Sequence, residues 1–357
     1  MMLCYLCSEA GHRKTDCPLN PQLKGRRKSR RDVNRLEKTV QLQSEMSKES
    51  RKKQPPLLLT IHKQAKQSIY NPLESQTHTM CIPVLVDKII LASTHGWLVL
   101  VSEGNEKCSL WNPGSNAMIE LPSLQDYYLY QKCVLSKPPT EPDCHILFNS
   151  TVTLRQAFCK IGDVEFTYQC QLEEDYQLIA IASFQGKIYG VMNPGYKFVT
   201  IEFVGTTMEL RPMLINEEKP WKAPQPDRNW VVWHENEFVD SPSGNELFLV
   251  VKDSSNDSIM DGSEIRVFRV DINRMECVEV DDIGDQVILM GYYGTGFCCS
   301  SFAAIKPNSI CYTTDEGAYV YVYDLDDKST SSWLPHDVGL DVVNHFWVDL
   351  ELEDISL

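Results

Sequence analysis

The stretch from Lys88 to Val101, Lys-Ile-Ile-Leu-Ala-Ser-Thr-His-Gly-Trp-Leu-Val-Leu-Val, decides the fold. Aliphatic and β-branched side chains fill both halves, and a Thr-His-Gly interruption separates them. That composition reads as two strands joined by a tight turn. His95 is therefore read as a turn residue rather than a catalytic base. Leu178 to Met192 (LIAIASFQGKIYGVM) and Ser309 to Leu325 (SICYTTDEGAYVYVYDL) follow the same pattern. From Pro55 onward, short runs of Val, Ile, Phe, Tyr and Trp alternate with Gly, Pro, Asn and Asp turns, without a long amphipathic helix.

A closing strand recurs behind these hairpins at intervals of roughly 40–70 residues, a spacing expected of blade-like repeats. The candidates are His78–Pro83, Ala117–Pro122, Phe166–Gln171, Met208–Pro212, Glu276–Val280 and Ser332–Pro335. Three end in Ile-Pro or Leu-Pro, and proline, which has no N–H to donate, ends a strand at the outer edge of a sheet. Repeated four-stranded units of this length build β-propellers, whose radial closure protects their edges. The expected fold class is all-β: a β-propeller of about six blades, range five to seven, over residues 55–357. A two-sheet sandwich is the competing architecture and suits five or more repeated units less well.

The same region resembles the β-propeller domain found behind the F-box in plant F-box proteins. The resemblance is carried by Ser93-Thr94-His95-Gly96-Trp97-Leu98-Val99, Leu110-Trp111-Asn112-Pro113 and Ile119-Glu120-Leu121-Pro122. Pro142-Asp143-Cys144, Phe184-Gln185-Gly186-Lys187-Ile188-Tyr189 and the opening Pro55-Pro56-Leu57-Leu58-Leu59 extend it over nearly the entire region. It implies an interaction platform. F-box members also carry an apolar helical module that docks onto a ubiquitin-ligase adaptor; residues 1–54 have too few apolar residues and too many charges to form it. Recruitment to a ligase is therefore not carried over, although a substrate-recognition propeller with the N-terminal segment as a fused relic is the alternative reading.

The N-terminus is of another kind. Cys4, Cys7, His12 and Cys17 follow the spacing C-x2-C-x4-H-x4-C. Three thiolates and one imidazole satisfy a closed tetrahedral zinc site, and so short a segment needs the metal to fold. Gly11 stands where the chain must reverse sharply before His12. Residues 1–18 resemble the retroviral-type zinc knuckle, which implies weak, sequence-tolerant binding of single-stranded RNA or DNA. Tyr5 occupies the family's base-stacking place between the first two cysteines, and Arg13 and Lys14 add attraction for phosphate. Residues 19–54 form a basic linker in which Lys24, Arg26, Arg27, Lys28, Arg30 and Arg31 fall close together. Such a run repels itself and suits an electrostatic supplement to nucleic-acid binding. Val33, Leu36 and Val40 support at most a short helix there.

Charge divides the chain at the same place. Residues 1–54 hold 14 Lys/Arg against six Asp/Glu, and residues 55–357 hold 20 against 43. A body of net charge −23 repels phosphate, so nucleic acid is expected only at the basic end. The start MMLCYLC has neither the charged leader nor the apolar length of a secretory signal, and no run reaches the roughly 18 apolar residues of a membrane helix. Thirteen cysteines without a signal indicate reduced thiols in nucleus or cytoplasm. Beyond the three in the knuckle, Cys81, Cys133 and Cys311 are read as buried free thiols, and Cys298–Cys299 as a remote redox candidate.

Neither a nucleophile elbow, a P-loop, an HExxH helix nor an EF-hand loop occurs. Gly291, Gly294 and Gly296 read as a turn between strands, and the groups Asp281, Asp282, Asp285 and Asp324, Asp326, Asp327 as turn residues rather than a calcium site. Trp221, Trp230 and Trp233 are expected to pack down a Pro-rich loop. These readings combine into a non-enzymatic, zinc-binding, nucleic-acid-binding adaptor whose propeller engages a protein of unknown identity.

Overall fold

The computed structural model describes residues 55–348, apart from 63–65, 103, 105, 151–152, 171–176, 194, 214–233, 242–243, 245, 254–263, 275, 292–295, 303, 315–318 and 335–341. The described residues lie in one compact unit, residues 53–357. The segments assigned to the zinc knuckle and basic linker, 1–18 and 19–54, lie outside the described residues.

Among the described residues, twenty-five strands form six sheets. Sheet 1 takes β1 (Leu57–His62), β2 (Gln67–Asn71) and β3 (Gln76–Met80). Sheet 2 comprises β4 (Lys88–Thr94), β5 (Trp97–Ser102), β6 (Cys108–Asn112) and β7 (Ala117–Glu120). Sheet 3 holds β8 (Lys132–Leu135), β9 (His145–Asn149), β10 (Arg155–Lys160) and β11 (Thr167–Cys170). Sheet 4 holds β12 (Gln177–Phe184), β13 (Lys187–Asn193), β14 (Lys197–Val204) and β15 (Thr207–Pro212), and sheet 5 β16 (His234–Asp240), β17 (Leu247–Asp253), β18 (Ile265–Asp271) and β19 (Glu276–Val280). Sheet 6 has five: β20 (Gln286–Met290), β21 (Phe297–Ser300), β22 (Ser309–Thr313), β23 (Val320–Asp324) and β24 (Thr330–Trp333). The last strand, β25 (Val342–Val348), returns to sheet 1 and pairs antiparallel with β1, giving the order β25-β1-β2-β3.

The hydrophobic core shows how the sheets are arranged. It divides into clusters that each join neighbouring sheets: sheets 1 and 2, 2 and 3, 3 and 4, 4 and 5, 5 and 6, and 6 and 1. Strand periodicity makes this arrangement work, because successive side chains point to opposite faces. Leu57 and Leu59 pack toward sheet 2 while Leu58 packs toward sheet 6. Both faces are covered, so the strands read as continuous apolar runs such as Trp97-Leu98-Val99-Leu100-Val101, all buried. Six sheets packed face to face in a closed cycle make a six-bladed β-propeller, within the expected range.

The turn in the opening hairpin has the expected form. His95 and Gly96 have φ of 51° and 74°, the pair of positive values that a two-residue turn needs to match strand twist. Gln185 and Gly186 do the same between β12 and β13, with φ of 49° and 78°. All six predicted closing strands overlap the outermost strands, β3, β7, β11, β15, β19 and β24.

Sheet 6 departs from the pattern. Its order is β21-β20-β22-β23-β24, with β20 and β22 parallel. After β20 the chain returns on the inner side, so β21 becomes the innermost strand and lies beside β16. Gly296 permits that approach: a Cβ there would lie 2.5 Å from Val239 Cγ2 and 3.2 Å from Glu237 Cγ. Gly291 and Gly296 thus follow β20 and precede β21, while Gly294 lies outside the described residues.

The ring is closed by β25. Thr60 and His345 are opposed in the β1–β25 ladder, and Thr60 Oγ1 lies 2.8 Å from His345 Nδ1 in a buried contact. Phe346 and Val348 of β25 pack with Leu57, Leu59 and Leu98. Phe346→Ala should cost about 3–5 kcal/mol, the range for a buried aromatic truncation. Denaturant titration of the variant should show a lower midpoint with an unchanged slope; wild-type stability would mean that β25 does not seal the ring.

Candidate protein-interaction site

The predicted site residues Cys4, Tyr5, Cys7, His12, Arg13, Lys14, Cys17, Arg26, Arg27, Lys28, Arg30 and Arg31 lie outside the described residues, as do Trp221, Trp230 and Trp233. Among the described residues, no three His, Cys, Asp or Glu side chains gather as a metal site. The aspartate groups serve the backbone, as read from the sequence. Asp282, Asp324 and Asp327 accept hydrogen bonds from the N–H groups of Gly284 (2.7 Å), Asp326 (2.9 Å) and Ser329 (2.9 Å). Asn308, unnoticed in the sequence, ties the two groups together. Its Nδ2 donates to Asp326 Oδ1 at 2.7 Å, and its Oδ1 accepts from Ile283 N at 3.0 Å.

The cysteines divide by position. Cys133 and Cys311 are buried as expected, but Cys81 is exposed, because it lies just past the end of the outermost strand β3. Cys298 and Cys299 are both buried. Burial pushes the Cys298 thiol up to about 12, and only the thiolate reacts. Neighbours on β21, the two thiols point to opposite faces and pack into separate core clusters, so they do not face one another as a redox couple.

Two polar assemblies stand out on the ring. The first crosses its middle. Lys132 on β8 and Glu237 on β16 form an ion pair between the innermost strands of sheets 3 and 5, with sheet 4 between them in the ring. Their side chains are 14% and 4% exposed. The N–H of Gly296 also donates to Glu237 Oε1, at 3.3 Å, which brings sheet 6 into the contact.

The second lies between sheets 2 and 3. The connector after β7 is held down by Leu124 N–H donating to Glu106 O at 2.9 Å and by Gln125 N–H donating to Tyr168 Oη at 3.0 Å. It turns through Asp126, with φ of 52°, into a short 3-10 turn, Tyr127–Leu129. Arg155 binds Asp126 Oδ2 at 3.1 Å and lies over the Tyr168 ring, 4.7 Å from its centroid. Tyr128 donates to Asp126 Oδ1 at 3.3 Å and is 67% exposed. The adjacent Asp126 carboxylate raises the Tyr128 phenol, and burial pushes that of Tyr130 up to about 12, so both stay protonated at neutral pH. Exposed tyrosine beside a pre-positioned arginine is the composition that dominates binding energy at protein interfaces. The sequence signal was the Asp-Tyr-Tyr-Leu-Tyr run at 126–130; Arg155 and Tyr168 join it only through the fold.

A cleft of about 730 Å³ opens on sheet 6 beside the connector Ser301–Pro307. Phe302, Val322 and Trp333 line it with Asp324, Asp327, Lys306 and a set of serines. Trp333 is braced edge-on by Tyr70, with ring centroids 5.0 Å apart. Lys306 pairs with Asp324, whose side chain is 8% exposed.

Comparison with known proteins places this architecture. A family model for the KIB1-4 β-propeller matches residues 69–332. The chain belongs to the KIB1-4 β-propeller family. Within the curated proteins, an F-box/kelch-repeat protein of Arabidopsis thaliana is 23% identical over 276 residues, covering 72% of this chain and 74% of that protein. An F-box protein of the same plant is 31% identical over 77 residues, which span 22% of this chain and 19% of that protein. Among solved structures, a chain of the nidogen/laminin complex superposes with a TM-score of 0.39 at 9% identity, over 81% of this chain and 95% of that one. The match to the KIB1-4 family runs from β2 to β24, so it spans every sheet of the ring.

The cross-ring ion pair yields a stability test. Removing one partner leaves the other charge buried and uncompensated, at a cost of about 3–5 kcal/mol. Lys132→Met alone should destabilise by that amount, and Lys132→Met with Glu237→Leu should recover most of it. Equal stabilities of single and double variants in thermal unfolding would exclude the coupling.

Proposed function

We propose that this KIB1-4 family member is a non-enzymatic adaptor whose propeller binds a protein through the surface formed by Tyr127, Tyr128, Arg155 and Tyr168. The observation that carries this reading is the arginine held between Asp126 and Tyr168 beside a largely exposed tyrosine. Holding the guanidinium in place before binding reduces the entropy lost when a partner arrives. Affinity purification of the tagged full-length chain from Arabidopsis cells, with and without nuclease, should recover a protein that survives nuclease treatment. Tyr128→Ala should reduce its recovery about tenfold, as befits the loss of an interface hot spot, without lowering the melting temperature. Undiminished recovery would remove this surface from the reading.

At the other end, Cys4, Cys7, His12 and Cys17 hold one zinc ion. Their donor chemistry supports this, since three thiolates and an imidazole are a structural zinc set. Around it, Tyr5 stacks on a base, and Arg13, Lys14, Arg26, Arg27, Lys28, Arg30 and Arg31 meet phosphates of single-stranded RNA or DNA. Metal analysis of the purified full-length chain should give one zinc per chain, falling to background in Cys7→Ser. Tyr5→Ala should weaken oligonucleotide binding by about 1–3 kcal/mol, the worth of one stacked base. Absence of oligonucleotide binding at low salt would reject the nucleic-acid role and leave the protein platform.

A second reading is favoured by the relatives, an F-box/kelch-repeat protein and an F-box protein. On that reading the propeller selects substrates for a ubiquitin ligase. Recovery of a ligase adaptor in the same purification would establish it.

A further inference from the structure

The outer edge of sheet 6 lacks charge, as does that of sheet 1 (Gln76–Met80), but it runs beside a cleft. Edge strands invite pairing with another chain, and proteins usually guard them with charge or cover. Among the described residues, β19 carries Glu276 and Glu279, β15 carries Glu209 and Arg211, and β7 ends in Glu120. The edge of sheet 3 meets sheet 4 through a side chain: Gln169 on β11 donates to Met208 O at 3.1 Å and accepts from Met208 N at 3.0 Å, copying a ladder pair. β24, Thr330-Ser331-Ser332-Trp333, carries no charge, and among the described residues no strand pairs with its outer side.

Register shows which groups that edge presents. Asp324 N–H donates to Ser329 O at 2.9 Å just before β24 begins. In the ladder Tyr323 then faces Thr330, Val322 faces Ser331, Tyr321 faces Ser332 and Val320 faces Trp333. Hydrogen-bonded and non-bonded pairs alternate in antiparallel sheets. Ser331 and Trp333 therefore bond inward to β23, while the N–H and C=O groups of Thr330 and Ser332 point outward. The cleft lies along the same strand: Ser329, Ser331 and Trp333 line it with Val322 and Asp324, flanked by Asp327.

We propose that β24 receives an extended segment of a protein partner as a sixth strand of sheet 6, and that the segment carries a lysine or arginine. Backbone pairing to Thr330 and Ser332 supplies affinity, and side-chain pockets supply selectivity, as in strand addition generally. Charge complementarity selects the basic residue. Asp324 and Asp327 outnumber Lys306 in the cleft, and the body around it is strongly acidic. The Ser329 hydroxyl, together with its N–H at 2.9 Å from Asp327 Oδ1, keeps the Asp327 carboxyl below the usual range, hence ionised. An apolar neighbour on the segment rests against Trp333 and Val322, and a partner bearing acidic residues is repelled.

This inference rests on the platform reading but uses a different surface from Tyr128 and Arg155. The test is selection of 12-residue peptides from a random phage-displayed library on immobilised full-length protein, followed by titration of the enriched peptides as synthetic probes. The expected result is enrichment of extended, β-branched peptides with a lysine or arginine. Binding should weaken at least about tenfold in Ser332→Pro, which removes an outward N–H without breaking the β23–β24 ladder. Asp327→Lys, on the exposed turn, should weaken basic peptides by a similar factor and provides a second variant should the proline perturb folding. Enrichment of acidic peptides, enrichment of no common motif, or equal binding by wild type and both variants overturns the proposal. If both variants still recover the nuclease-resistant partner while Tyr128→Ala does not, the platform stands and strand addition fails.

Discussion

Everything in the ring depends on one pairing, that of β1 with β25. The two strands are separated by nearly the whole propeller in sequence, with Thr60 and His345 285 positions apart, yet they are adjacent in one sheet. Without that ladder, sheet 1 would lose its innermost strand and the clusters on both of its faces would open, because Trp347 packs toward sheet 6 and Phe346 toward sheet 2. The buried Thr60–His345 contact adds a polar constraint on register. A slip of one residue would turn Phe346 and Trp347 to the wrong faces as well as separate the hydroxyl from the ring.

The ring satisfies its polar and exposed groups locally, position by position. Lys132 and Glu237 sit where the innermost strands converge, and Gly296 lets β21 come close enough to join them. Asn308 performs a related service at the rim, joining the turn before β20 to the turn after β23. Outer edges are handled one at a time, by glutamates on β19, by the Gln169 amide between β11 and β15, and by neither on β24 or β3.

Much of this architecture was legible in the sequence, for identifiable reasons. The Thr-His-Gly turn marked a hairpin, and the six closing strands were visible because Pro83, Pro122 and Pro335 follow outer-edge runs or because alternating polarity betrays a strand with one wet face. The inversion of β20 and β21 was not visible, since apolar alternation reports which faces are buried and not which side of a strand its successor takes. Cys81 was misread for a similar reason: its run looks apolar, but it lies just past the end of an outermost strand. The Lys132–Glu237 pair and the joining of Arg155 to Tyr168 and Asp126 were equally hidden, because they depend on how strands far apart in sequence converge. The chemistry of residues 1–31 was read from ligand type and spacing, and needed no tertiary contact to be stated.

Closure by β25 also has a consequence in time. Loop-closure entropy must be spent before a long-range pairing returns any stability, which makes such topologies slow to complete. As the chain emerges during synthesis, sheets 2 to 5 can assemble from contiguous sequence, but sheet 1 must wait with β1 exposing an unpaired edge until Val342–Val348 has been made. For that interval the nascent chain carries a buried-type apolar strand without a partner, the condition under which chains associate wrongly. The density of carboxylates over residues 55–357 would oppose such encounters by mutual repulsion. On this view the acidity of the propeller protects an unfinished ring as much as it shapes the surface of a finished one.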